Sequence, residues 1–301
     1  MRSETLNKKD SIIIVIPTYG RGSLLNRTLE SLSKCVFPSN YLKTIVIENG
    51  EKGDAEIVCS KYKNIGCEYQ YSAQANKSDA LNKALDTIEN DIFIIFFDDD
   101  IRVSPEVITA YASAFEEYGL DYFYGGPYQV DYELRPEPYY IDFMPVSASG
   151  WEKAKNKKLS PIDLIGFNWA AHSSQLKKAG GFDINFGPNS ATGATGQEHD
   201  MMVRLDNLGI NPWYVEDAKV WHYVPKERAT FNWLINRKFK AGISAGLKSK
   251  SFFTPVMFTR VVLKEVLFLL LNLFTFSKKK LAGSYLNLHF YRGVYHSFKL
   301  K

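Results

Sequence analysis

The chain has 301 residues, 45% hydrophobic and 23% charged, the balance of an ordinary folded protein, which excludes a disordered or low-complexity chain. Its three cysteines, Cys35, Cys59 and Cys67, show neither metal-ligand spacing nor an even count, so a disulfide framework is excluded and core thiols in a reducing compartment are expected. The net charge of +4 conceals an acidic body and a basic tail: residues 226–301 carry 15 Lys and Arg against Glu227 and Glu265, or +13, while residues 1–225 carry 22 basic and 31 acidic residues, or −9.

The N-terminus has Asp10 ahead of the short run Ile12 to Pro17. It lacks the apolar stretch of a secretory leader, so the body is expected in the cytoplasm. Ile12 to Ile16 is a continuous apolar run of strand length, as in strands covered on both faces. Ser23 is expected to cap a helix carrying Leu24, Leu25, Thr28, Leu29 and Leu32. Thr44 to Ile47 reads as a second strand. Ser78 is expected to cap a helix with Ala80, Leu81, Ala84, Leu85 and Ile88, and Ile92 to Phe97 reads as a further strand. The alternation predicts an α/β fold with a mainly parallel sheet, whose ligands bind beyond the carboxyl ends of the strands.

Polar groups gather at those ends: Pro17-Thr18-Tyr19-Gly20-Arg21, Glu48-Asn49-Gly50 and Asp98-Asp99-Asp100. Three carboxylates after six apolar residues repel one another and call for a compensating cation. A hard divalent ion, Mg²⁺ or Mn²⁺, takes oxygen ligands and bridges phosphates. Gly20-Arg21-Gly22 is no dinucleotide fingerprint, since the third glycine is missing. Later, Ser173 to Ala179 is helix-like, and Gln197 to Leu208 reads as a helix stopped by Gly209. On it Glu198 shares a face with Met201, Met202 and Leu205, whereas Asp200 lies four residues before Arg204, a helix salt-bridge spacing.

In the tail, residues 251–280 run apolar, but the longest uncharged stretch, Val266 to Ser277, has 12 residues, and about 20 span a bilayer. With Arg260, Lys264, Glu265 and Lys278-Lys279-Lys280, this reads as an amphipathic or partly re-entrant helix at an anionic membrane surface, with Trp233, Phe239 and the aromatic 285–298 segment as further anchors. A nucleic-acid partner is not expected, because the tail is too apolar and carries no such motif. The domain boundaries follow: residues 1–225 form the body, split near 125, and residues 226–301 a helical, membrane-associating region.

In order along residues 11–225, several motifs resemble family 2 glycosyltransferases of the GT-A fold. Ile16-Pro17-Thr18-Tyr19-Gly20-Arg21 looks like the opening strand and nucleotide loop, and Val46-Ile47-Glu48-Asn49-Gly50 like the second strand ending in an acid near the nucleoside. Lys77-Ser78-Asp79-Ala80-Leu81-Asn82 is similar to the helix start near the donor, and Asp98-Asp99-Asp100 to the Asp-x-Asp metal motif. Gly180-Gly181-Phe182-Asp183, Gly196-Gln197-Glu198-His199-Asp200 and Val220-Trp221-His222 match later motifs. Glu48 replaces the usual Asp, and Gln197-Glu198 the usual Glu-Asp.

The resemblance implies a nucleotide-sugar half over 11–125, an acceptor half over 126–225, and inverting, metal-dependent sugar transfer to a glycan or lipid-linked acceptor in bacterial-type surface polysaccharide assembly. It assigns the Mn²⁺ or Mg²⁺ to Asp98, Asp100 and His222, and the nucleotide sugar to Pro17, Thr18, Tyr19, Arg21, Glu48, Lys77, Asp98 and Asp99, with Lys77 meeting phosphate. Asn168 and Trp169 would line the acceptor side. For the general base, Glu198 points inward, where desolvation favours basicity, and Asp200 is the reserve. Loops such as 126–160 would set donor choice. The expected location is the cytoplasmic face of the membrane, peripheral or monotopic. Two other classes compete: a sugar-phosphate nucleotidyltransferase, for which Gly20 to Gly22 is a poor phosphate loop, and a non-catalytic sugar- or lipid-binding membrane protein, against which the full set of acids argues.

Overall fold

A computed structural model of the chain describes residues 11–88, 92–153, 159–187, 196–248, 255–273 and 276–298. Residues 1–10 and 154–158, on which part of the N-terminal and loop expectations rest, lie outside them. In chain order the elements are β1 (Ile12–Thr18), α1 (Gly22–Leu32), β2 (Tyr41–Asn49), α2 (Ala55–Ser60), β3 (Cys67–Ser72), α3 (Lys77–Asp86), β4 (Phe93–Phe97), β5 (Ile101–Val103), α4 (Val107–Tyr118), β6 (Tyr122–Gly125), β7 (Tyr128–Tyr132), β8 (Asn168–His172), α5 (Ser173–Lys178), α6 (Gln197–Asn207), β9 (Asn211–Tyr214), β10 (Val220–Val224), α7 (Phe231–Lys248), α8 (Pro255–Leu273) and α9 (Lys278–Ser297).

The chain divides into two compact units, residues 1–129 with 150–222 and residues 130–149 with 223–301. The first is built on a seven-stranded sheet of order β3-β2-β1-β4-β8-β6-β9. β1 pairs in parallel with β2 and β4, β2 in parallel with β3, and β4 antiparallel with β8. All seven residues of β1 are buried, and strand alternation explains why every one is apolar or small. Ile12, Ile14 and Ile16 face a layer containing Leu25, Leu29 and Leu32 of α1, whereas Ile13 and Val15 face Ala80, Leu81, Ala84 and Leu85 of α3. Each such side chain contributes roughly 1.5–3 kcal/mol when fully buried.

From β1 the chain builds β2 and β3 to one side and returns to set β4 on the other, so the sheet order reverses between β1 and β4. Ligand crevices in open α/β sheets form at such a point, and here it carries Thr18 to Arg21 and Asp98 to Asp100. The helices fall where expected, but their caps differ. Ser23 lies inside α1, which has no side-chain cap. α3 is capped by Asn76, whose side chain accepts from Asp79 N–H, while Ser78 Oγ donates to the Phe186 carbonyl.

The second unit has its own core of Tyr140, Met144, Ala148, Val224, Leu234, Ala282 and Leu286. Residues 130–149 therefore pack with the C-terminal helices, a grouping that differs from a body running unbroken to 225. α7 and α9 meet through glycines: a Cβ on Gly242 would overlap the Phe290 carbonyl, and one on Gly293 the Phe239 carbonyl. α8 packs on α9, and none of residues 258–273 is buried. Among the described residues no helix is long and apolar enough to cross a membrane. Of the expected anchors, Trp233 packs on the unit's core and Phe239 lies against His296 of α9, while Tyr285 and Tyr295 of the aromatic segment are 41% and 48% exposed.

Candidate active site

At the carboxyl end of β1 the Thr18 hydroxyl donates to Asp99 Oδ2 at 2.6 Å. Arg21 spans two acids, with Nη2 2.5 Å from Asp99 Oδ1 and Nη1 2.8 Å from Asp100 Oδ2. This fork suits a guanidinium, whose planar donors serve two carboxylates at once. Below, the Thr28 hydroxyl sits 2.9 Å from the Asp99 carbonyl and accepts from Ile101 N–H, fixing the turn after β4. Burial lifts the Asp99 carboxyl to about 7 even though Arg21 opposes the shift.

The remaining acid of the triplet belongs to a different cluster. Lys77, the first residue of α3, places Nζ 2.5 Å from Asp98 Oδ1 and 2.6 Å from Glu198 Oε1. Gln197 Nε2 also donates to that Glu198 oxygen, at 2.8 Å. Burial opposes the charge on Lys77, but Asp98 and Glu198 hold its proton well above the ordinary lysine range. Burial raises the Asp98 carboxyl, with Lys77 opposing and Glu198 and Asp100 adding.

The cations that relieve the repulsion in Asp98-Asp99-Asp100 are thus Arg21 and Lys77, which corrects the expectation that the triplet by itself demands a metal. It also revises the roles of both residues, since Arg21 and Thr18 are committed to Asp99 and Asp100, and Lys77 to two carboxylates. Glu198 is likewise an ion-paired carboxylate, not one merely desolvated by apolar neighbours.

Glu198 reaches this position through a chain of contacts. The Asn82 side chain of α3 donates to the Phe182 carbonyl at 2.8 Å and accepts from Phe182 N–H at 2.7 Å. Asn76 donates to the Ile184 carbonyl at 2.8 Å. The start of α3 therefore holds the 182–186 turn, ahead of α6. Gly166 supplies clearance: a Cβ there would lie 2.7 Å from Glu198 Cδ. Met201, Met202 and Leu205 bury the same face of α6. Asp200 turns away and accepts from Arg204 Nε at 2.9 Å, as the spacing predicts.

Tyr19 is 44% exposed and its ring lies over Gly50, where a Cβ would overlap it and φ is +79°. Only glycine suits both conditions. The result is an aromatic face open to solvent beside buried Pro17. Glu48, 1% exposed, accepts from Gly53 N–H at 2.9 Å and from the Tyr69 hydroxyl at 2.8 Å. It orders the turn beneath the crevice instead of presenting a free carboxylate to a nucleoside.

Asn168 and Trp169 do not line an acceptor surface. Both are fully buried in β8, where Asn168 accepts from Tyr111 and donates to the Pro127 and Ala218 carbonyls. Trp169 stacks on Phe96 with centroids 4.7 Å apart. His222 lies flat on Phe167, centroids 4.7 Å apart, with Nε2 3.6 Å from Asp100 Oδ1. Phe167 and Gly166 were not foreseen; the run Gly166-Phe167 carries no motif by which to find them.

Residues 13–176 match the sequence pattern of the family described as Glycosyl transferase family 2, more than half of the chain. It belongs to that family. The mannosyltransferase PcManGT of Pyrobaculum calidifontis, solved with GDP-Man and Mn²⁺, is similar in structure, with TM-score 0.54 and 16% identity over 96% of this chain and 74% of that one. TarS residues 1–349 of S. aureus, solved with UDP, gives TM-score 0.54 and 13% identity over 96% and 91%. Another TarS 1–349 structure gives 0.52 and 14% over 76% and 64%, so in that alignment the present chain spans less than two thirds of its neighbour. These likenesses establish the shared GT-A-like α/β fold. No curated protein sequence matches the chain.

The family implies a divalent ion, and the donor set near β4 fits one in part. Asp100 Oδ1 is buried without a hydrogen-bond partner, as is His222 Nδ1, and the other ring nitrogen, Nε2, lies 3.6 Å from that oxygen. One carboxylate and one imidazole suit an ion whose other ligands come from phosphate and water. Asp98, by contrast, is taken by Lys77. Among the described residues no three His, Cys, Asp or Glu side chains form a ready metal-holding group; of the expected set, Asp100 and His222 lie side by side, and Asp98 Oδ1 is paired with Lys77.

Proposed function

We propose that this family 2 enzyme is an inverting glycosyltransferase that moves a sugar from a nucleotide-sugar donor to a hydroxyl of a glycan or lipid-linked acceptor, with Glu198 as general base. The observation that carries the reading is the Lys77 bridge, which brings the α6 carboxylate beside Asp98 at the end of β4. A base must lie within hydrogen-bond reach of the proton it removes, and a carboxylate held beside Asp98 supports that role for Glu198. Asp200, spent on Arg204, has no comparable position.

In this scheme Glu198 takes the acceptor hydroxyl proton as the oxygen attacks the anomeric carbon, and the bond from that carbon to the donor diphosphate breaks on the opposite face. No covalent sugar-enzyme intermediate forms. Tyr19 offers its exposed ring to the nucleobase, and Asp98 a carboxylate to the ribose or sugar. Asp100 and His222 would hold Mn²⁺ or Mg²⁺, which when bound offsets charge on the leaving diphosphate. Support for such a donor comes from the similar structures solved with GDP-Man and Mn²⁺ and with UDP. Work in surface-polysaccharide synthesis at the cytoplasmic face of a membrane fits the basic tail and the three free thiols.

A thermal-shift screen of UDP-, GDP- and dTDP-sugars with and without Mn²⁺ tests the reading. Stabilisation by one nucleotide class that grows with Mn²⁺ is expected; no shift with any of them sinks it.

A further inference from the structure

Among the described residues of its unit, none covers the outer face of α8. Leu263, Val266, Leu267, Leu270 and Leu271 are between 39% and 63% exposed. Their spacing of i, i+3, i+4, i+7 and i+8 makes one continuous helical stripe. Phe258, Val261, Val262, Glu265, Leu269 and Asn272 are less exposed and form the opposite face, turned toward α9. There Glu265 Oε2 accepts from Asn287 Nδ2 at 3.2 Å, and Asn272 donates to Ser284 Oγ at 2.9 Å. The sole acid of α8 is therefore withdrawn from the apolar side, leaving Arg260 and Lys264 as its exposed charges. Just beyond, Lys278, Lys279 and Lys280 open α9 and are all exposed, with Lys279 paired to Asp142.

We infer that α8 lies in the plane of an anionic lipid bilayer, with Leu263, Val266, Leu267, Leu270 and Leu271 among the acyl chains. Arg260, Lys264, Lys278 and Lys280 then meet the headgroups. This rests on the membrane location proposed above and deepens it by naming the side chains that enter the lipid and those that meet the headgroups.

Four observations favour a lipid surface over other occupants. The helix carries Arg260, Lys264 and Glu265 within its length and does not qualify as a span, yet its stripe is too continuous for water, the pattern of an interfacial helix. Its flanking charge is of one sign, complementary to anionic headgroups. Two copies meeting through this face would bring like cations together, which disfavours self-association. The contact of α7 and α9 through Gly242 and Gly293 also resembles the small-residue packing of helices in apolar surroundings.

Flotation of the full chain with phosphatidylcholine vesicles, with and without phosphatidylglycerol, is the direct test. Binding is expected to the anionic vesicles, with a loss of about tenfold or more for the Leu267→Glu, Leu270→Glu double variant. Lys278→Gln with Lys280→Gln should remove the preference for phosphatidylglycerol. Both variants change exposed positions, and circular dichroism checks that each stays folded. In Leu270→Trp, brominated lipids should quench the added fluorescence. No vesicle binding by the wild type, or binding unchanged in the double Glu variant, overturns the inference. So does a wild-type dimer in light scattering that the Glu variant dissociates. Thermal shift with UDP and Mn²⁺ reads the transfer site separately, so a failed vesicle assay and a failed donor assay are told apart.

Discussion

β1 and α8 are both apolar runs, yet all of β1 is buried and nothing in residues 258–273 is. The strand has α1 on one side and α3 on the other, so its alternating side chains leave water on both faces. Among the described residues of its unit, the helix has α9 on one side and no cover on the other. An apolar run therefore reports a need for cover, and the rest of the chain decides whether the protein itself supplies it. The same contrast extends to the roles proposed for the two regions: the end of the sheet would work through single atoms at fixed distances, and the helix through area.

Removing one atom's charge at the sheet end should have the largest effect. Glu198→Gln is expected to lower transfer by about 10³-fold, within the range for loss of a general base, while the nucleotide still binds; near wild-type turnover would falsify the assignment. Next is Lys77→Met, which strands two carboxylates and should cost about 3 kcal/mol of stability. Denaturant midpoints read this directly, and an unchanged midpoint means the bridge adds nothing. Asp100→Asn is expected to reduce turnover by about 10²-fold and to blunt the Mn²⁺ dependence of nucleotide binding. Equal Mn²⁺ response in both proteins would remove Asp100 from the metal site.

In the helical unit a single methyl should act through volume. Gly242→Ala is expected to destabilise the chain by about 2 kcal/mol, because α7 and α9 must separate, and thermal melts check it. Smallest of all is Asp200→Asn. It breaks a half-exposed helix pair worth about 0.5 kcal/mol and should leave turnover within about twofold, since base chemistry is not assigned to it. A large loss there would reverse the choice between the two acids.

Much of the first unit was legible because its signals are local. The runs Ile12 to Ile16 and Phe93 to Phe97 announce buried strands, and the α6 periodicity separates Glu198 from Asp200. The partners of the charged groups were not legible. Lys77 and Glu198 lie more than 100 residues apart, and only the folded chain sets their Nζ and Oε1 2.6 Å apart. Nor does sequence say that Arg21 straddles Asp99 and Asp100, or that Glu48 spends both oxygens on Gly53 and Tyr69. For Asn168 and Trp169, side chains able to bind a sugar are equally able to satisfy a sheet interior. Residues 130–149 pack with Leu234, Ala282 and Leu286 for a similar reason, since these apolar partners come more than 80 residues later.

The Lys77 and Arg21 pairings have a consequence for electroneutrality. Asp98, Asp99, Asp100 and Glu198 set against Arg21 and Lys77 leave the crevice floor with a formal charge of −2 when all are ionised. A nucleoside diphosphate brings further negative charge to a surface of its own sign, and a divalent cation opposes the floor's charge. If the proposed donor site takes both, the two ligands would be thermodynamically linked, each raising the affinity of the other by the same factor. Nucleotide affinity would then be a function of divalent-ion activity, and ion affinity a function of nucleotide.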